Sequence, residues 1–352
     1  MDGFESDEIA RARRYHRPLY AALFAGLALD LTALAALTFV DLPLPWWAEV
    51  VAGPALVLWC TWAVGLPLAW WRLGHERAWG FSTQSAHAWW GDRARSLGVG
   101  VVVGVVTVGG LLALAHLFPN GWPWVAAVAG AALALVFSFV APVVLEPVFN
   151  RFRPLEGDLA DRLRRTAERA GVPVRDVLVA DASRRTTKQN AYVSGIGRTR
   201  RVVLWDTLLD VPPEEVELVV AHELGHRRMH HVRQSTILAM AGAVVFVAVL
   251  RLVRPHPEPH DAALVLLLGT ILEFAAMPLG AALSRRWERA ADRFSLAVVG
   301  DAAVFEALHR RLALANLADL RPPKWLYYAL FTHPTPPQRL AAAKATLDRH
   351  QE

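Results

Sequence analysis

Six apolar stretches constrain this chain more than anything else in it; they fall at about residues 18–40, 51–71, 97–118, 122–145, 235–253 and 262–283. Each reaches the roughly 20 residues that an α-helix needs to cross about 30 Å of hydrocarbon. Their Ala, Val, Leu and Gly content lets helices approach closely. With 54% hydrophobic and 20% charged residues, the chain is also more apolar than a water-soluble domain. The expectation is a polytopic α-helical membrane protein. Asp30 and Glu273 interrupt the first and last stretches. A charge at that depth is costly unless it faces protein interior or water. Asp30 and Glu273 therefore face protein interior or water; Glu273, a candidate metal ligand that lies deep in its stretch, either lines a polar cavity or is buried and protonated.

The arginines set the direction. Arg11, Arg13, Arg14 and Arg17 precede the first stretch, and Arg72, Arg77, Arg93 and Arg95 follow the second. The loops at 41–50 and 118–123 carry no Lys or Arg, while Arg251 and Arg254 are a mild exception in the loop at 251–261. The positive-inside rule places both termini, and residues 146–234, in the cytoplasm. The net charge of +5 comes from arginines flanking apolar runs, which fits lipid headgroups as partners and not nucleic acid. Cys60 is the single cysteine, so neither an internal disulfide nor a cysteine metal site is available. Residues 1–17 are too polar for a cleavable leader.

The chain thus divides into a four-span region (1–145), a polar stretch (146–234), two spans (235–283) and a second polar stretch (284–352). The two polar stretches share the cytoplasmic side and can meet. In the first, GDLADRLRRTAERAG predicts an amphipathic helix stopped by Gly171. VRDVLVADA and RTRRVVLWDTLL predict strands, with NAYVSG just before the second. VPPEEVELVVAHELGHRRMHH, residues 211–231, predicts a helix opened by prolines with glutamates in its first turn.

That last helix carries the chemistry. His222 and His226 are four residues apart, so a helix sets both on one face. Two imidazoles so placed can share a Zn²⁺, and Glu223 can reach its open side and take a proton from bound water. This is the HExxH pattern. His230 continues the spacing; the sequence RRMHH reads better as a solvated basic patch than as a further ligand. A catalytic zinc needs a third protein ligand. WERAAD offers Glu288 and, one turn on, Asp292: one to bind metal, the other to orient a ligand histidine. Alternatively, both pair with Arg285, Arg286 or Arg289 on an exposed helix. FTHPTPPQR brings His333 and Arg339, which either stabilise an oxyanion or belong to a proline-rich loop that caps a helix.

HELGH, ERAAD and THPTPPQR, in this order and with NAYVSG upstream, resemble the membrane zinc metalloproteases that include the type 1 CAAX prenyl proteases and the related heat-shock membrane protease. WGFSTQSAHAWWGD and APVVLEPVFNRFRPL resemble the CAAX protease branch, and the likeness runs over residues 70–345. It implies about six membrane helices enclosing a water-filled chamber, with a cytoplasmic zincin-like domain containing a small β-sheet. It implies one Zn²⁺ per chain held by His222, His226 and Glu288, with Glu223 as general base and Asp292 behind the ligands. His333 and Arg339 would contact substrate or oxyanion. Asn190, Ala191 and Tyr192 would present an edge strand to an extended peptide. The implied partners are a peptide or protein substrate, lipidated or membrane-embedded, and membrane lipids. The implied reaction is peptide hydrolysis. The Ala, Arg, Gly and Pro bias points to a bacterial inner membrane, where prenylated substrates need not exist. Two other functions remain open: a broad quality-control protease, and a chaperone or transporter with a closed structural zinc site that includes His230. The eukaryotic members have seven spans against six here.

Overall fold

The computed structural model describes residues 3–140, 144–195 and 197–351. The membrane region contains α1 (Ser6–Leu37), α2 (Trp46–Ala78), α3 (Ala86–Gly104), α4 (Gly110–Leu117) and α5 (Trp122–Val140). The polar domain begins with α6 (Glu146–Phe149), β1 (Phe152–Pro154), α7 (Asp158–Arg169), β2 (Asp176–Ala180), β3 (Ala191–Ser194), β4 (Arg201–Trp205) and α8 (Pro213–Arg228). The chain then re-enters the membrane region through α9 (His231–Val253) and α10 (Ala262–Val299) and ends in α11 (Ala302–Ala315), α12 (Lys324–Leu330) and α13 (Pro336–Gln351). Among the described residues, six helices are long and apolar enough to cross a membrane, α3 and α4 counting as one. They coincide with the six apolar stretches; residues 141–143, at the end of the fourth, lie outside the described residues.

Five π-helical residues, Val105–Gly109, join α3 to α4. Their cause is a close approach: a Cβ at Gly109 would sit 2.1 Å from the Val50 carbonyl of α2. Around this contact the apolar core gathers Val50, Val57, Leu112, Trp122, Leu250 and Val265. Trp122 is fully buried, and its Nε1 donates to the Pro255 carbonyl at 3.1 Å.

The polar domain is built on a four-stranded sheet of order β1-β2-β4-β3. Only β2 and β4 run parallel; the outer pairs are antiparallel. Leu163 and Ala167 of α7 and Val216, Val220 and Leu224 of α8 fill its apolar face. β1 is absent from the sequence expectation, because Phe-Arg-Pro has neither the length nor the alternation of a strand. It forms because pairing with β2 satisfies its backbone.

Helix α10 matters most for function. At 38 residues it is about 57 Å long, enough to cross a bilayer and project well beyond it. Residues 273–280 are all exposed. Glu273 is among them, so the buried alternative does not hold for it. Asp30 is half-buried and, with Thr61, Trp62, Arg93 and Thr270, lines a cavity of about 420 Å³. A polar knot fastens α1 and α2 to the domain: Tyr15 Oη donates to Glu76 at 2.7 Å, and Lys188 Nζ lies 3.2 Å from the same carboxylate.

Candidate metal centre

Prolines 212 and 213 open α8 and Glu215 sits in its first turn, paired with Arg311 at 2.8 Å. One face of the helix, Val216, Val220 and Leu224, belongs to the domain core. His222 and His226 lie on the side facing α10. The two helices touch at Gly225, where a Cβ would come within 3.0 Å of the Phe294 ring and 3.4 Å of Ala291 Cα. That close approach brings Glu288 to the histidines.

The three side chains meet at ligand distances. His222 Nε2 and His226 Nε2 are 3.2 Å apart. Glu288 places Oε2 3.3 Å from His222 Nε2 and Oε1 3.3 Å from His226 Nε2. Metal–ligand bonds of about 2.0–2.1 Å in a tetrahedron give ligand–ligand edges of about 3.3 Å. Glu288 Oε2 is moreover buried without a hydrogen-bond partner, a costly state for a carboxylate oxygen. Two imidazole nitrogens and one carboxylate are also the donor set of a catalytic zinc. The residues therefore fit a metal ion. The competing expectation, that Glu288 and Asp292 pair with nearby arginines on an exposed helix, fails because both are buried and face His222.

Each histidine is held at its other nitrogen. His222 Nδ1 lies 2.9 Å from Asp292 Oδ1, while Arg339 Nε donates to Asp292 Oδ2 at 2.9 Å and its Nη2 to Oδ1. Protonation of Nδ1 by this arrangement leaves the Nε2 lone pair for a metal. His226 Nδ1 lies 2.9 Å from His231 Nδ1, and His231 stacks on Trp287 at 5.0 Å and 14°. His231 is the residue that sequence reasoning missed. The predicted helix through residue 231 in fact stops at Arg228; His230 takes a left-handed conformation (φ 60°, ψ 29°) and α9 starts at His231. The reversal turns His231 back onto His226 and leaves His230 exposed.

Electrostatics follow from this packing. Burial works against the charged form of His222, but the neighbouring carboxylates of Asp292 and Glu288 outweigh it and raise its pKa to about 9. Burial raises the pKa of Glu223, opposed by His222 and His226. A metal would displace the extra proton and supply the positive charge that Glu223 lacks. His333, on the loop before α13, brings Nε2 to 3.4 Å from Glu288 Oε1 while its side chain stays 61% exposed.

His222, Glu223, Glu288, His333 and Arg339 line a cavity of about 350 Å³ with Asn190, Gln189, His309 and Asn316, and with an apolar wall of Leu218, Leu308 and Leu312. Gln189 Oε1 is buried with no partner. The backbone of Gln189 is clamped by Asn316, which accepts from its N–H at 2.9 Å and donates to its carbonyl at 3.1 Å. Asn190 precedes β3 and caps it, accepting from Ala191 N–H at 2.9 Å. β3 is an edge strand, as NAYVSG implied. Tyr192 pairs with Val203 and directs its hydroxyl to Glu146 at 3.3 Å, away from the histidines. The antiparallel register turns the backbone of Ala191 and Val193 outward, and Arg227 occupies the Val193 carbonyl.

A HExxH helix completed by a glutamate from a membrane-crossing helix is the arrangement of a membrane metallopeptidase. Comparison with known proteins says which kind: the chain belongs to peptidase family M48. That family's model matches residues 154–347, and the model described as CAAX prenyl protease N-terminal, five membrane helices, matches residues 22–151. The uncharacterized metalloprotease YhfN of Bacillus subtilis is 29% identical over 80% of this chain and 70% of its own length. The CAAX prenyl protease 1 homolog of Arabidopsis thaliana is 30% identical over 69% of this chain and 57% of that protein. CAAX prenyl protease 1 of Saccharomyces cerevisiae is 31% identical over 50% of this chain, and the match spans only 40% of that protein. The crystal structure of S. mikatae Ste24p shares the fold, with a TM-score of 0.80 at 22% identity over 97% of this chain and 89% of that one.

Proposed function

We propose that this chain is a zinc-dependent endopeptidase that cleaves extended peptides at the cytoplasmic face of a membrane. The carrying observation is the triangle of His222, His226 and Glu288, with edges of 3.2–3.3 Å and both histidines fixed at their far nitrogens. When bound, the ion would supply Lewis acidity, lowering the pKa of a bound water and polarising the scissile carbonyl. Glu223, beside these ligands in the cavity, takes the proton of the attacking water on its carboxylate and hands it to the leaving amine. His333 Nε2 faces the same space and donates to the developing oxyanion. Arg339 spends two donors on Asp292, so its first task is to hold the Asp292–His222 pair. The Ala191 carbonyl and Val193 N–H pair with substrate backbone. The relatives' name gives prenylated C-terminal peptides as the first substrate class to test. The left-handed, exposed His230 lends no support to a closed structural site.

The test is Glu223→Gln in purified, membrane-reconstituted protein, assayed on a farnesylated peptide and on an unfolded membrane protein. Zinc content should stay at wild-type level while turnover falls on the order of 10²–10⁴-fold. Undiminished hydrolysis of both substrates would overturn the assignment; cleavage of the second alone by wild-type protein would replace specific processing with quality control.

A further inference from the structure

A second cavity near the metal centre opens on its far side. It holds about 570 Å³ and lies between α10, α12 and α13, sharing only Pro334 and Arg339 with the peptide cavity. Four guanidiniums, those of Arg285, Arg289, Arg293 and Arg339, face one carboxylate, Asp292. Two of the four are already committed. Arg285 is buried, donates to the carbonyls of Tyr327, Tyr328 and Phe331, and stacks on Tyr327 at 4.9 Å. Arg339 is bound to Asp292. Arg289 and Arg293 are exposed, one turn apart on one helix face, and among the described residues neither has an ion-pair partner. Asp292, the cavity's acid, is neutralised by Arg339 and His222.

The cavity also stands at the membrane boundary. The apolar stretch of α10 ends at residue 283, and Arg285 to Arg293 stand about 3–15 Å beyond it along the helix. α12 lies against α1 inside the first apolar stretch, with Trp325 5.7 Å from Phe24 and Phe331 6.5 Å from Tyr20. Trp325 and Tyr328 are 62% and 63% exposed beside Lys324, the composition of a helix lying in the headgroup layer. Small residues, Ala282, Ala342 and Ala343, keep the cavity open from its membrane end to the arginines.

We propose that this cavity is a headgroup site for an anionic phospholipid, whose phosphate is held by Arg289 and Arg293 while its glycerol backbone lies along Ala282 and Tyr328. Two unpaired guanidiniums at one-turn spacing can hold a single phosphate from two sides. A solvated basic face would need neither the enclosing tyrosines nor a cavity that begins at the end of a membrane span. The site is independent of peptide hydrolysis and stands if the zinc assignment fails.

The experiment uses the full chain in detergent, titrated with phosphatidylglycerol, phosphatidylcholine or inorganic phosphate and read by native mass spectrometry. Wild-type protein should retain phosphatidylglycerol in preference to phosphatidylcholine. Arg289→Gln/Arg293→Gln should lower that preference roughly 30-fold, a few-fold per arginine at a charged interface. Arg165→Gln, on the exposed face of α7, should leave it unchanged, and an unshifted thermal midpoint serves as the folding control. Equal retention of both lipids by wild-type protein overturns the proposal, whether or not the double variant folds. So does full displacement of phosphatidylglycerol by millimolar inorganic phosphate, which would assign the arginines to a soluble anion.

Discussion

His226 is the residue at which local chemistry is tightest. Its Nε2 faces the metal triangle and its Nδ1 faces His231 at 2.9 Å. A metal ligand must present a lone pair at Nε2, so Nδ1 carries the proton and donates, and His231 accepts. His231→Ala removes that acceptor without touching the triangle. Zinc affinity, measured by competition with a chromophoric chelator, should fall about 10–100-fold. An unchanged affinity would show that Trp287 and burial alone orient His226. Asp292→Asn makes the matching prediction for His222: the amide still fills the space but holds the ring without charge, and affinity should fall by a similar factor. His222→Ala or His226→Ala removes a ligand outright, so stoichiometric zinc in either variant would contradict the ligand set.

At the scale of elements, the site is the crossing of α8 and α10. Gly225 is the contact: any side chain there meets Phe294 and the backbone of Ala291. Gly225→Val should push the helices apart, carry Glu288 away from both histidines and abolish stoichiometric zinc, seen by metal analysis of the purified membrane protein. The turn between α8 and α9 makes the opposite prediction. His230 holds a left-handed backbone that costs a non-glycine residue about 1 kcal/mol or more. His230→Gly should therefore keep zinc and activity and raise the thermal midpoint. Loss of metal in this variant would restore His230 as a ligand.

For the whole molecule, an ion held by His222, His226 and Glu288 would tie the polar domain to the membrane helices, since the two histidines stand on α8 and the glutamate on α10. Removing it with a chelator should lower the thermal midpoint of the detergent-solubilised protein. The loss is RT ln(1 + [Zn]/Kd), about 2.7 kcal/mol at a hundredfold excess over Kd. A midpoint indifferent to chelation would mean that Gly225 packing and the Tyr15–Glu76–Lys188 knot hold the two parts together unaided.

The six spans were legible because length and apolarity are properties of consecutive residues, and lipid leaves the backbone no alternative to a helix. The HExxH helix was legible for the same reason: His222, Glu223 and His226 fall within one turn, and helical geometry alone puts the histidines on one face. The strands at 176–180 and 201–205 also announced themselves by composition, the one at 191–194 only through the family resemblance of NAYVSG, whereas β1 exists only through its partner. What the tertiary structure decided are relations between residues far apart in the chain. Glu288 and Asp292 are both carboxylates one turn apart; only the approach of α10 to α8 at Gly225 sends the first to the two Nε2 atoms and the second to Nδ1 of His222. The sequence RRMHH gave no sign that the backbone would reverse at His230 and return His231 to the site, because that turn is stabilised by what α9 packs against beyond it. Local periodicity records which face a residue occupies; which other face it meets is settled by packing, and packing also left Arg289 and Arg293 without ion-pair partners among the described residues.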